Sequence, residues 1–551
     1  MRLVSSIVVL VCLLAVPARG ADGDATWVFF ADHGFASPTA EAAAVSAARS
    51  SLSPKALARR EAKGGAPDLL DVPPARGYVA AVLATGATLR HESRWLNAIS
   101  VDASPAQRAA IESLPFVVRT RPVARQHHDL SFDEVEIDVS HGHPSRGALD
   151  YGPSARQAEQ IQVDLLHDLG LSGAGVTIAV LDTGFDTSFH EAFQNLTVVA
   201  EHDFVQGDGN TANEGNDPSN QFYHGTLVLS TLSGWAPGQL IGIAYGADYA
   251  LAKTETLLSE TPAEEDNWVA AAEWADSLGA DVITSSLGYR DWYVPSDMDG
   301  DTAPISIAAD LAVANGIAVF VSGGNEGGNS WNIVTAPGDA HDAVTVGAVD
   351  SLGAIASFSG RGPTADGRTK PDVCAMGVAT FHAAPWDPAG NVYARANGTS
   401  LSCPLVAGVG ALLLEAEPTL APLDLAAALR STATQSGAPN NDYGWGIVQA
   451  LDARESLATS APAPNVAGPS IAVSPNPATG PQTLRLAAPR SHATTVEIVD
   501  VAGRRVREIV VPRGASTARW DGRDAGGDLV SAGLYFARVD GVPAARLVRL
   551  R

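Results

Sequence analysis

The 551-residue chain is too long for a single ordinary core, so several domains are expected. Hydrophobic residues make up 46% of it, with 53 Gly and 34 Pro, a composition of folded, loop-rich proteins that excludes wholesale disorder. Its 36 Lys and Arg against 61 Asp and Glu give a formal net charge of −25, which repels phosphate backbones and argues against nucleic acid as a partner.

Residues 1–20, MRLVSSIVVLVCLLAVPARG, join a basic residue, an apolar stretch and a small-residue end, the pattern of a secretory signal peptide. The apolar run is shorter than the ~18–20 residues that cross a bilayer. No later run is read as longer, so an exported chain without a membrane span is expected. Of the three cysteines, Cys12 leaves with the signal. Cys374 and Cys403 have no zinc-like spacing and either pair or stay buried as free thiols.

Residues 21–127 predict a small α+β unit. TWVFF and FVVRTRPV have strand composition, and SPAQRAAIESL opens with an N-cap serine before helically spaced apolar residues. Residues 128–150 read as an exposed acidic connector. His127, His128, His141 and His143, in and just before it, fall at no recognised metal-ligand interval, so a solvated segment is the simpler reading. From 151 to 458 the apolar runs GVTIAVLDTG, GADVITSSLG, GIAVFVSGGN and AVTVGAV alternate with helical stretches such as TPAEEDNWVAAAEWADSLG. Such runs suit parallel strands buried on both faces. The alternation predicts an α/β fold with a doubly wound, mostly parallel sheet and its site at the strand carboxyl ends. A Pro/Ala/Ser linker at 459–470 precedes a tail, 471–551. Its strand-like runs TTVEIVDVAG, GLYFARV and ARLVRLR, bounded by turn dipeptides such as Asp521-Gly522, predict a small β-sandwich.

Three motifs end or follow the central strands. VLDTGFD puts Asp182 at the end of a buried strand, and HGTLVLST opens a helix with His224. NGTSLSCPLVAG puts Ser400 and then Pro404 near a helix start, where a missing N–H costs little. Each alone has a plain structural explanation, a turn or a cap. Together, in this order, they resemble the subtilisin-like serine proteases (the subtilase family), whose chain order is Asp, His, Ser. VSGGNEG adds Asn325 after a strand, where that family keeps its oxyanion-hole asparagine. The resemblance implies an endopeptidase in which Ser400 attacks, His224 moves the proton and Asp182 orients the imidazole. Asn325 and the Ser400 N–H would bind the oxyanion. Ser402 matches a structural position in the family. Leu401 stands where many subtilases carry methionine, and Leu227, Leu229 and Ser230 depart from HGTHVAGT, which alters packing near the cleft more than the triad.

SSLG, with Ser286, Leu287 and Gly288, resembles the edge strand on which subtilases lay an extended polypeptide substrate. Ser322, Gly323 and Gly324 would form the facing wall, their small size leaving room for a bulky side chain. DMDGDT puts Asp297, Asp299 and Asp301 at alternate positions. It lacks the EF-hand glycine and glutamate, so a structural calcium loop competes with a solvated one. No cofactor is implied for the chemistry itself.

LSPKALARREAKGG, DLLDVPP and SRWLNAISVDA make the first domain resemble a subtilase propeptide of the exported bacterial kind. Such a domain assists folding and covers the cleft as an intramolecular inhibitor until the connector is cut. In the tail, SPNP, WDGRD, SAGLYF and RLVRLR resemble the Ig-like C-terminal sorting modules of bacterial type IX secretion. That resemblance implies the secretion machinery as a partner and a secreted or cell-surface location. A plain stabilising β-domain, or a module binding substrate or cell wall, is the alternative. The competing function is a catalytically silent subtilase used as a binding protein. An α/β-hydrolase esterase is set aside, because the chain offers neither G-x-S-x-G nor the order Ser, Asp, His.

Overall fold

The computed structural model describes residues 24–123, 147–257, 265–459 except 291, and 471–550 except 477, 487–493, 501–503, 514 and 540–541. The signal stretch, the connector histidines His127, His128, His141 and His143, and the Pro/Ala/Ser linker lie outside the described residues.

The N-terminal domain is built on a four-stranded antiparallel sheet. Its strands are β1 (Asp24–Phe30), β2 (Thr88–Ser93), β3 (Ala98–Ala103) and β4 (Val117–Pro122), in the order β2-β3-β1-β4. Its helices are α1 (Pro38–Arg49), α2 (Pro54–Arg59), α3 (Arg76–Leu83) and α4 (Pro105–Glu112). Ser104 opens α4 with the expected cap: its hydroxyl accepts the Gln107 N–H while the Gln107 side chain accepts the Ser104 N–H. The two-residue period of β1 serves two cores at once. Val28 and Phe30 pack with Val79, Val82 and Ile111 of the domain's own helices. Trp27 and Phe29 face the other way and join Trp268 and Ile305 of the next domain.

The central domain begins with α5 (Ala155–Glu159) and α6 (Val163–Asp168). Its parallel strands are β5 (Thr177–Asp182), β6 (Thr197–Asp203), β9 (Asp248–Lys253), β10 (Val282–Ser285), β11 (Ala318–Ser322), β12 (Val344–Val349) and β13 (Val373–Met376). The minor hairpin of β7 (Trp235–Ala236) and β8 (Leu240–Ile241) lies outside that sheet. The order β13-β12-β11-β10-β5-β9-β6 places the first strand, β5, inside the sheet, as a doubly wound fold requires. Ile178 and Val180 of β5 point to the side of α7 (Tyr223–Ser233) and α10 (Thr399–Ala416). Ala179 and Leu181 point to the side of α8 (Glu265–Leu278) and α9 (Pro304–Ala314). Helix α10 is long and apolar enough to cross a membrane, contrary to the sequence expectation, but 83% of it is buried inside the domain. Gly408 and Gly410 let it approach Ile243 and Phe320. The tail forms a three-stranded and a four-stranded antiparallel sheet around Trp520 and Tyr535, whose rings meet edge to face at 5.2 Å.

Four buried carboxylates of α8 hold the N-terminal domain. Glu273 accepts the Ser93 hydroxyl and the Arg94 and Trp95 N–H groups, at 2.6, 3.2 and 3.2 Å. Glu265 accepts the Trp27 indole N–H at 3.1 Å, and Asp266 pairs with Arg90 at 2.8 Å. Asp276 takes three guanidiniums, those of Arg59, Arg60 and, at 2.9 Å, Arg94. Burial pushes Glu265 and Glu273 up to about 7. For Asp266 burial acts in the same direction, but the charges of Arg90 and His91 and the hydrogen bonds of Arg90 and Ser100 together outweigh it and hold the group at about 2. Once the domain leaves and water returns, each group reverts to its ordinary value of about 4. Docking therefore weakens as pH rises from about 4 to 7, where the glutamates ionise only in the undocked state, and stays weak above that. Below about 4 it weakens again, as the Asp266 ion pair is lost. Undocking measured by hydrogen exchange on full-length Ser400→Ala protein should be rarest near pH 4 and more than tenfold commoner at pH 7.5. Tighter docking at pH 7.5 would refute the glutamate account.

Candidate active site

All strands of the parallel sheet end on one side, and the motif residues gather there. Asp182 closes β5 and is fully buried. Leu181 is in register with Ser285, so Asp182 and Ser286 leave the sheet as neighbours. His224 lies in the first turn of α7, its Nδ1 2.6 Å from Asp182 Oδ1. An ionised carboxylate only accepts, so Nδ1 carries the proton and Nε2 is the basic nitrogen. Residue 225 must be glycine for this approach, because a Cβ there would collide with the Gly184 carbonyl. Asp182 Oδ1 also accepts the Thr183 N–H at 2.7 Å, and its main-chain carbonyl accepts the Thr254 N–H at 2.9 Å. Residue 182 is thus held by backbone N–H groups at both its carboxylate and its main-chain carbonyl.

Helix α10 begins at Thr399, behind Gly398, whose φ of 153° favours glycine. Asn325 follows β11, and its Oδ1 accepts both the Thr399 N–H at 3.0 Å and the Thr399 hydroxyl at 2.9 Å. That leaves Nδ2 as the free end of the amide. A Cβ at position 398 would sit 3.7 Å from Asn325 Nδ2 and 3.7 Å from the Ser400 nitrogen, so the missing side chain keeps the space before both donors open.

Pro404 lies inside α10, not at its entrance as the sequence suggested. Lacking an N–H, it cannot donate to the Ser400 carbonyl four residues back. The Ser286 hydroxyl does so instead at 2.8 Å, and the Ser400 hydroxyl donates to the Ser286 carbonyl at 3.1 Å. This reciprocal pair pins the first turn of α10 to the end of β10. Ser402 is buried with its hydroxyl on the Thr399 carbonyl. Cys374 and Cys403 are buried free thiols, each pushed up to about 12 by burial and therefore protonated and inert.

Ser286, Leu287 and Gly288, the expected substrate segment, follow β10 beyond its last residue, Ser285. The chain then bridges Ala336 at Tyr289. Leu287 is fully buried, its carbonyl accepting the Ser322 hydroxyl at 3.4 Å. Gly323 donates to the Val346 carbonyl at 2.9 Å. The room expected beside Gly324 for a bulky side chain is occupied by Thr335, which lies between Gly324 and Gly288.

The proposed calcium loop is also corrected. Asp297 accepts the Val294 N–H at 3.0 Å, Asp299 accepts the Asp301 and Thr302 N–H groups, and Asp301 faces His341 at 3.4 Å. Asp297 and Asp299 hold their own turns and Asp301 faces a distant ring, so alternate spacing does not bring the three together. Among the described residues, the acidic oxygens that converge are those of Asp203, Asp208 and Glu214, which no motif marked. The fully buried Lys253 ammonium is already there, 2.8 Å from Asp203 and 2.7 Å from Asp217.

Residues 173–446 match the subtilase family, and residues 25–134 match the peptidase S8 propeptide domain of Bacteroidota. Subtilisin from Bacillus pumilus is 33% identical over 52% of this chain and 94% of its own. Subtilisin E from Bacillus subtilis is 34% identical over 52% and 68%. M-protease from Shouchella clausii is 30% identical over 66% and 80%. Among solved structures, fervidolysin from Fervidobacterium pennivorans, a keratinolytic enzyme related to subtilisin, shares the fold with a TM-score of 0.58 at 19% identity, over 94% of this chain and 70% of that one. With a relative matched over nearly its whole length, and a propeptide domain docked ahead of the parallel sheet, the chain belongs to the subtilase family of subtilisin-like serine proteases.

Proposed function

We propose that this chain is a secreted serine endopeptidase, made as a zymogen, that hydrolyses polypeptides with Asp182, His224 and Ser400. The observation that carries this reading is the 2.6 Å Asp182–His224 bond at the end of β5, beside the strand end that holds Ser400. In the reaction the Ser400 hydroxyl turns from the Ser286 carbonyl to His224 Nε2, which takes its proton as Oγ adds to the peptide carbonyl. Asp182 stabilises the imidazolium that forms. Asn325 Nδ2 and the Ser400 N–H receive the oxyanion, and a side-chain donor in that role contributes about 10²–10³ in rate, a value measured in subtilisin. His224 passes its proton to the leaving amine, and water then cleaves the acyl-enzyme by the same route.

The domain docked through α8 serves as intramolecular inhibitor, and cleavage falls within 128–150. The division into signal 1–20, catalytic domain 151–458 and sorting module 471–551 belongs to the same reading. The test is the intact mass and N-terminal sequence of the purified chain beside Ser400→Ala. Loss of the first domain by the wild type alone is the expected result. If both stay whole and neither cuts casein, the protein is a silent binding relative. Equal trimming of both would assign the cut to another protease.

A further inference from the structure

A cavity of about 160 Å³ lies at the amino ends of β12 and β13, whereas Asp182 and Ser400 sit at the carboxyl ends of the strands. Its walls carry three permanent cations, Arg368, Lys370 and Arg430, and one carboxylate, Asp372. That is an excess of positive charge in a chain whose net charge is −25. At physiological salt the remote acids are screened beyond about 8 Å, so the local cations decide what the cavity attracts.

The hydrogen bonds show which of these groups are spent. Lys370 is 2% exposed and uses all three N–H groups, on the Ala343 carbonyl at 3.0 Å, Thr345 Oγ1 at 2.9 Å and Asp372 Oδ2 at 2.8 Å. Asp372 Oδ2 also accepts the Thr345 N–H at 2.8 Å, and its Oδ1 meets Arg430 Nε at 3.1 Å. The one carboxylate in the wall is thus turned onto its own cations. Even so, burial and the charges of Arg368 and Arg430 hold Lys370 below its ordinary value against the pull of Asp372.

The guanidiniums keep donors to spare. Arg368 gives Nε to Asp366 at 2.7 Å and one N–H from each Nη to the Ala340 and Asp339 carbonyls, at 2.9 and 2.7 Å. One N–H remains on each Nη. Arg430, in the last turn of α11 (Pro422–Thr432), lies with its guanidinium carbon 5.4 Å over the Trp445 ring. Both its Nη groups are without a protein partner among the described residues, as is the hydroxyl of Thr369, which lines the same cavity.

We propose that this cavity binds a tetrahedral oxyanion, a phosphate or sulfate group, through the spare Nη donors of Arg368 and Arg430 and the Thr369 hydroxyl. Donors from a loop and a helix reach the group from different directions, which suits four tetrahedral oxygens better than the two coplanar oxygens of a carboxylate. Trp445 gives the organic part of an ester an apolar wall. The bound group ties α11 to the loop ahead of β13, far along the sheet from Ser400, so it is neither substrate nor catalyst.

The test is calorimetric titration of full-length Ser400→Ala protein with sodium phosphate and with phenyl phosphate, at an ionic strength fixed by chloride. One saturable site with a Kd of about 1 mM or tighter is expected. Tighter binding of phenyl phosphate identifies an ester as the ligand, and equal or weaker binding identifies the free ion. Arg430→Gln should weaken phosphate by about tenfold or more, the loss of a charge-assisted donor. Thr369→Val, nearly the same shape, should weaken it by about threefold or more and decides the matter if Arg430→Gln does not fold. Arg504→Gln, in the tail, should bind as the parent does. Absence of saturable heat up to about 20 mM phosphate, or unchanged affinity in folded Arg430→Gln, overturns the proposal. The peptidase reading is untouched by either result.

Discussion

Asp182→Asn is expected to slow conversion of the zymogen by ~10⁴-fold while leaving the fold intact. Oδ1 receives both the Thr183 N–H at 2.7 Å and His224 Nδ1 at 2.6 Å, so an asparagine that turns its NH₂ to His224 gives up the Thr183 bond, while the residue 182 carbonyl keeps the Thr254 N–H at 2.9 Å and holds the end of β5. In that arrangement Nδ1 becomes an acceptor and the ring proton moves to Nε2, the nitrogen that must take the proton of Ser400. The neutral amide also gives no charge to balance an imidazolium in a site where residue 182 is fully buried. The time course of intact mass for the full chain, with Ser400→Ala as the zero, measures the effect, and the thermal midpoint reports the fold. Slowing of less than about tenfold would mean that Asp182 does not set the tautomer.

Asp276→Ala should free the N-terminal domain without touching the catalytic end of the sheet. It strands Arg59, Arg60 and Arg94, the first two almost wholly buried. Removing one partner of a buried ion pair costs about 3–5 kcal/mol. Arg60 keeps Asp71 at 2.7 Å and Arg59 keeps the Ala280 and Asn315 carbonyls at 2.7 and 3.2 Å, which places the effect toward the lower end. In the Ser400→Ala background, exchange of amide hydrogens in β1 and β3 should rise by about 10²–10³-fold. Unchanged exchange would show that apolar packing around Trp27 and Trp95 alone holds the domain.

The parallel strands were legible because residues buried on both faces leave unbroken apolar runs, as in β5 and β11. The residues around Asp182, His224 and Ser400 were legible because short motifs are local, and each sits at one strand end or one helix start. What escaped depended on partners distant in sequence. Pro404 read as a helix opener, and only the fold shows that its missing N–H is replaced by the Ser286 hydroxyl, 118 residues earlier. Thr335 carries no signal, because its meaning comes from Gly288 and Gly324 on two other segments. The aspartates at 297, 299 and 301 matched a spacing, but Asp297 and Asp299 bond nearby N–H groups and Asp301 faces His341, alternatives that spacing cannot distinguish from an ion. The Asp276 cluster needs Arg59, Arg60 and Arg94, from segments outside the central domain, to meet one helix.

Arg59 does more than pair with Asp276: it bonds the carbonyls of Ala280 and Asn315, beyond the ends of α8 and α9, just ahead of β10 and β11. β5 and β10, adjacent in the sheet, lie about a hundred residues apart in the chain, so their pairing must close a long loop before any contact compensates for it. A domain that holds both helices in place would lower that barrier during assembly. With the domain cut away as proposed above, the barrier would stand in full in either direction. The working life of the processed protein is then set by how fast it unfolds, and a molecule that has unfolded has lost the template on which it was built.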